Sequence, residues 1–114
     1  LVLLAGAMNE LVIGDPGLLG TDVGPVIDED ARKVLLDHIE RMRREAKLIA
    51  ALPLPESAAH GSFVAPHAFE LSSLKQLPRE VFGPVLHVIR YAAKNLDQVI
   101  DEINATGYGL TLGI

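Results

Sequence analysis

The dipeptide Gly83-Pro84, with the run that follows it, constrains this chain more than any other feature. Pro84 fixes its own φ and biases Gly83 toward extended backbone, so residue 85 is reached through a rigid turn. Val85 to Tyr91 is β-branched and reads as a strand. Asn95 is placed to cap a helix over residues 96–105, and Gln98 stands where the partner of a capping box belongs. Leu96, Val99, Ile100 and Ile103 form the apolar stripe of that helix. Gly107 and Gly109 close it, and Leu110 to Ile114 resumes an apolar strand. Strand, helix, strand in this order predicts a βαβ unit with a right-handed crossover and parallel pairing. The expected fold class is α/β, a mainly parallel sheet with flanking helices.

The first half of the chain supplies the remaining elements. Leu4, Ala7, Met8 and Leu11 fall at helical spacing, so Leu1 to Val12 reads as a helix end stopped by Gly14 and Pro16. Residues 14–26 are rich in Gly and Pro and read as loop. Asp28 is an N-cap candidate for a helix over roughly residues 29–46, with Glu29 and Asp30 complementing the positive helix end. Ala31, Val34, Leu35, His38, Ile39 and Met42 share one face of it. The mixed charges on its other faces read as a solvated surface. Lys47 to Leu52 suits a buried strand ended by Pro53 and Pro55. Ser62 to Ala65 and Ala68 to Leu71 read as strand pieces broken at Pro66. Leu1 begins inside an apolar pattern without Met, and Gly113-Ile114 ends inside a predicted strand. Residues 1–114 are therefore expected to be one partial domain, truncated at both ends.

Composition narrows the function. Hydrophobic residues at 49% against charged residues at 22% fit a packed globular chain rather than a disordered one. The net charge of -5 offers no electrostatic attraction for nucleic acid or an anionic membrane. No apolar run is as long as a membrane span, and no signal peptide is read at the N-terminus. The chain has no cysteine, which excludes disulfides, thiolate metal sites and a thiolate nucleophile within it. His38, His60, His67 and His87 include no pair at i, i+3 or i, i+4 spacing, so no metal site is expected and His87 reads as a strand residue. Arg79 and Arg90 read as surface or packing residues.

Glu80-Val81-Phe82 before the Gly-Pro turn admits two readings. A rigid loop can hold a carboxylate and a ring at fixed positions, and a carboxylate is a good acceptor for paired hydroxyls such as those of a ribose. The blander reading makes Glu80 an exposed acid and Phe82 a core residue, the usual fates of those residue types.

Four segments carry a resemblance. Glu80-Val81-Phe82-Gly83-Pro84 is similar to the E-x-F-G-P signature of the aldehyde dehydrogenase superfamily. Gly24-Pro25-Val26-Ile27 is similar to the loop preceding a long helix in that family, and Phe63-Val64-Ala65-Pro66 to the strand before the signature, with His67 in place of the usual Thr. Asn104 to Leu110 resembles the N-x-x-x-Y-G-L segment after it. The longer matches, Gly24 to Asp28, Phe82 to Tyr91 and Gly107 to Gly113, resemble the pyrroline-5-carboxylate dehydrogenase branch found in bifunctional bacterial enzymes of proline catabolism.

The resemblance implies part of an aldehyde dehydrogenase catalytic domain. The reaction implied is NAD-dependent oxidation of L-glutamate γ-semialdehyde to glutamate, through thiolate attack, hydride transfer and thioester hydrolysis. It implies that Glu80 accepts hydrogen bonds from the nicotinamide ribose and that Phe82 packs beside the nicotinamide, with Gly83 and Pro84 forming the turn that positions them. The family's cysteine, glutamate base, oxyanion-hole asparagine and pyrophosphate loop have no counterpart here. No catalytic residue is therefore assigned, and the chain alone is expected to be inactive and to bind no NAD. The implied location is cytoplasmic, with peripheral membrane attachment open for the parent enzyme. Truncation predicts self-association through bare strand edges and apolar helix faces. The contrasting expectation is a non-catalytic α/β binding or scaffold module.

Overall fold

A computed structural model describes residues 1–111 and 113. Three α-helices and three strands follow in the order α1 (Val2–Asn9), α2 (Glu29–Glu45), β1 (Lys47–Ala51), β2 (His67–Leu71), β3 (Val85–Ile89) and α3 (Leu96–Asn104). The sheet order is β1-β2-β3. β1 runs antiparallel to β2, with Lys47 opposite Glu70, and β2 runs parallel to β3, with Phe69 opposite His87. The sheet is thus mixed, which corrects the expected mainly parallel one.

The correction has a local cause. The parallel partner of β3 is β2, reached through residues 72–84, and not a strand after α3. Leu110 and Thr111 lie outside any strand, while Leu112 and Ile114 of that expected strand lie outside the described residues. The predicted βαβ unit over residues 85–114 is therefore not formed by the described residues. The expected helix forms over Leu96–Asn104, but Asn95 makes no side-chain cap and Gln98 instead bonds Glu102. A 3-10 turn at Ala93–Asn95 leads into α3 and puts Asn95 at φ -102, ψ 14 rather than the extended backbone an N-cap normally adopts.

α2 forms as its sequence dictates. Asp28 Oδ1 accepts from the Ala31 N–H at 2.8 Å, acids occupy the first turn and Arg43 and Arg44 the last. Leu35, Ile39 and Met42 pack with Val64, Phe69, Leu71 and Val85 on one face of the sheet. The other face carries Ala68, buried with Met8, Ile13, Leu52, Ala58 and Phe63. β2 is the central strand and the most buried. α1 stops at Asn9, before the glycine and proline expected to end it, because Glu10 and Leu11 N–H groups turn back onto Ala7 and Met8 carbonyls. Residues 62–65 form no strand; Phe63 and Val64 instead enter opposite cores from an irregular segment. Among the described residues no helix is long and apolar enough to cross a membrane.

Candidate functional site

The link between β2 and β3 is built onto α2. Ser73 and Gln76 form a capping box on a short 3-10 turn at Leu74–Gln76. Gln76 Nε2 donates to the Glu45 carbonyl at 2.8 Å, and Arg41 Nη2 donates to the Gln76 carbonyl at 3.1 Å. The turn is thereby fastened to the end of α2, and the chain then runs back along the helix. At Gly83 it comes so close that a Cβ there would lie 2.7 Å from Leu35 Cδ2, and nearer still to Cδ1. Only a residue without a side chain permits this approach.

That path decides where the candidate residues point. Val81 packs against the α2 core cluster, whereas Glu80 is exposed and Phe82 is 87% exposed. The blander reading, with Phe82 as a core ring, does not hold for Phe82, because its neighbour Val81 takes the inward position. An open cleft of about 610 Å³ lies between α2 and this loop. Val34, His38, Arg41, Arg79, Glu80 and Phe82 are among its walls. The loop is also tied from the far side: the Glu80 N–H donates to Tyr108 Oη at 3.0 Å.

His38, in the wall of the cleft, belongs to a histidine pair invisible to local spacing. His38 on α2 and His87 on β3 meet with their Nε2 atoms 2.9 Å apart, rings nearly perpendicular. Arg41 Nη2 lies 3.4 Å from His38 Nδ1, so His38 Nδ1 is the acceptor side and its Nε2–H donates to His87 Nε2. Burial, the neighbouring His38 and then Arg41 lower the His87 pKa to about 4. Burial also lowers His38, helped by Arg41 and Arg79 and opposed by Glu45. The arrangement works against a metal ion: an Nε2-bound His38 would carry its proton on Nδ1, facing the Arg41 donor. Among the described residues no cluster of three or more His, Cys, Asp or Glu could hold a metal.

His67 is a different case. Its Nδ1–H donates to the Ala65 carbonyl at 2.8 Å, its Nε2 accepts from Arg43 at 3.1 Å, and its ring stacks on Phe69. Burial lowers its pKa, with the Ala65 bond opposing and Arg43 assisting. Arg90 pairs with Glu70 on the sheet surface, in keeping with a packing role.

The four segments singled out in the sequence are linked by hydrogen bonds, either directly or through residues that flank them. The Val26 N–H donates to the Ser62 carbonyl at 2.8 Å, and Arg32 Nε donates to the Phe63 carbonyl at 3.1 Å. The His67 N–H donates to the Pro84 carbonyl at 3.0 Å, and Tyr108 holds Glu80. A sequence profile of the aldehyde dehydrogenase family matches residues 2–114. The chain belongs to the aldehyde dehydrogenase family.

Its relatives within that family include the bifunctional protein PutA of Klebsiella aerogenes, 48% identical over 119 residues, covering 100% of this chain and 9% of the relative. A crystal structure of bifunctional proline utilization A (PutA) superposes with a TM-score of 0.90 at 55% identity, over 98% of this chain and 11% of that one. An aldehyde dehydrogenase mutant from Bacillus cereus gives a TM-score of 0.82 at 26% identity, over 99% of this chain and 23% of that one. This aldehyde dehydrogenase chain thus spans about a tenth of the length of its PutA relatives.

The residues present fit one end of a dinucleotide. An exposed carboxylate and an exposed ring beside an open cleft suit a ribose and a flat heterocycle. A pyrophosphate cradle is another matter. The α2 N-terminus is occupied by the Asp28 side chain and flanked by Glu29 and Asp30, and Gly107 to Gly109 follow the C-terminal end of α3.

Proposed function

We propose that this chain is a segment of the catalytic domain of an NAD-dependent dehydrogenase that oxidises L-glutamate γ-semialdehyde to glutamate in proline catabolism. Its share of the work is to hold the nicotinamide-ribose end of the cofactor. The observation that carries this reading is the outward presentation of Glu80 and Phe82 on a loop fastened at Gln76, Gly83 and Tyr108. Aldehyde dehydrogenases generally use NAD, and the match to PutA supports the proline-catabolic substrate. When bound, the cofactor supplies the hydride acceptor. Glu80 accepts hydrogen bonds from the ribose hydroxyls, and Phe82 limits where the nicotinamide can lie. The thiolate and the pyrophosphate-binding loop come from other parts of the parent enzyme.

The test is Glu80→Gln in the full-length parent. Losing a charge-assisted hydrogen bond should cost about 1.5–3 kcal/mol. Single-turnover NADH formation should slow, while addition of the thiolate to the aldehyde is less affected. An unchanged single-turnover rate would remove Glu80 from the site.

A further inference from the structure

We infer that Tyr108 is a positioning residue for the cofactor: its hydroxyl is the acceptor that fixes the Glu80–Phe82 loop from the side opposite α2. The inference rests on the reading of Glu80 given above and adds a residue to it.

The loop is held unevenly. On its α2 side, Val81 is packed into the core cluster and Gly83 lies against Leu35. On its other side Glu80 has an exposed backbone N–H whose partner is Tyr108 Oη at 3.0 Å, from 28 residues further along the chain. An N–H without an acceptor at this point would leave the peptide between Arg79 and Glu80 free to rotate, and the carboxylate moves with it.

Tyr108 is itself placed by a built turn. Thr106 Oγ1 donates to the Ile103 carbonyl at 2.7 Å and accepts from the Tyr108 N–H at 3.2 Å. Between them Gly107 takes φ +77, a left-handed conformation that favours glycine. A side-chain hydroxyl at 106, a glycine at 107 and a phenol at 108 are thus each used once. They close the end of α3 and aim its last output at Glu80. This gives the Thr106-Gly107-Tyr108 run a task that neither helix capping nor core packing explains: Tyr108 is 56% exposed, and removing its hydroxyl would open no core cavity.

The chemistry separates Tyr108 from Glu80. The phenol's hydrogen bond is to a backbone amide, so it acts through the loop and not on the substrate. Its loss should appear in cofactor affinity and in loop order. It should leave acylation of the thiolate by an ester in the absence of NAD nearly untouched.

The experiment uses the full-length parent with Tyr108→Phe, Glu80→Ala and the double variant. Amide hydrogen exchange is measured without cofactor over residues 78–84 and over α2, and NAD affinity is measured by calorimetry. Tyr108→Phe should speed exchange at 78–84 and leave α2 unchanged. It should weaken NAD binding about three- to tenfold, the range of one neutral hydrogen bond. In the Glu80→Ala background the same change should add little further loss. Unchanged exchange at 78–84 would overturn the inference. So would faster exchange with unaltered NAD affinity while Glu80→Ala binds weakly. Unaltered affinity in Glu80→Ala itself overturns the reading of Glu80, and the inference falls with it by a separate route.

Discussion

Gly83 and Phe82 show how one missing side chain controls the neighbour's direction. Because Gly83 lets the backbone touch Leu35, Val81 can reach the core and Phe82 is turned out. Gly83→Ala would force a methyl against the Leu35 side chain, which is only 2% exposed. Overpacking of this kind costs about 1–3 kcal/mol. The expected outcome in the full-length parent is a lower urea midpoint together with weaker NAD binding, since the same shift displaces Glu80. A variant with the wild-type midpoint would mean that Leu35 moves aside freely. His67, buried at the start of β2, is accommodated by two hydrogen bonds and a stacked ring, so its burial leaves neither ring nitrogen orphaned.

Between elements, the contact with the clearest consequence is the one from α2 to β3 through His38 and His87. Both rings have lowered pKa values in the folded chain. A histidine that is harder to protonate when folded than at its ordinary value of 6.5 leaves the unfolded state binding more protons below that pH. The stability this pair contributes is complete above about pH 6.5 and is lost as pH falls toward the His87 value of about 4. Denaturation midpoints should therefore fall between pH 7 and pH 5, and His87→Gln should reduce the slope. A midpoint that is level across that interval would deny the coupling.

The same pair marks the boundary of what could be read from residues alone. α2 was legible because its cap, its charges and its apolar face all agree, and β3 because it is β-branched after a fixed turn. His38 and His87 lie 49 residues apart, and no local spacing reports their meeting. The parallel neighbour of β3 is likewise set by tertiary packing: it is β2, which precedes it in the chain, while Leu112 and Ile114 of the strand expected after α3 lie outside the described residues. Glu80 and Phe82 were legible as a site only through the family signature. Tyr108 belongs to the N-x-x-x-Y-G-L segment, but its hydrogen bond to Glu80 depends on the turn at Gly107, which the sequence does not project in space.

Across the whole molecule, burial is lopsided. α3 has no buried residue, and Leu96, Ile100 and Ile103 on its stripe stay 47%, 46% and 44% exposed. β1 and β3 each have one edge unpaired among the described residues. Apolar surface of this kind gains roughly 25 cal/mol for each Å² it buries. Prepared by itself at micromolar concentration, the chain should sediment as dimers or larger species, and with glutamate semialdehyde and NAD it should form no NADH above background, having no thiol to attack the aldehyde. A single monomeric boundary, or measurable turnover, would show that the segment is more self-sufficient than its surface indicates.

Arg79, Glu80 and Phe82, on the loop side of the cleft, lie on the crossover that joins two parallel neighbours, one of them the central strand. The loop cannot keep its shape if β2 and β3 separate, because each end of it is a ladder partner: Leu71 beside Ile89, and His67 beside Val85. Ligand occupancy and the integrity of the sheet are then a single thermodynamic account. A cofactor that binds only the formed loop raises the free energy needed to part the strands by RT ln(1 + [L]/Kd), about 2.7 kcal/mol at a hundredfold excess over Kd. Saturation at the surface would be felt at Phe69, in the centre of the core, as resistance to unzipping.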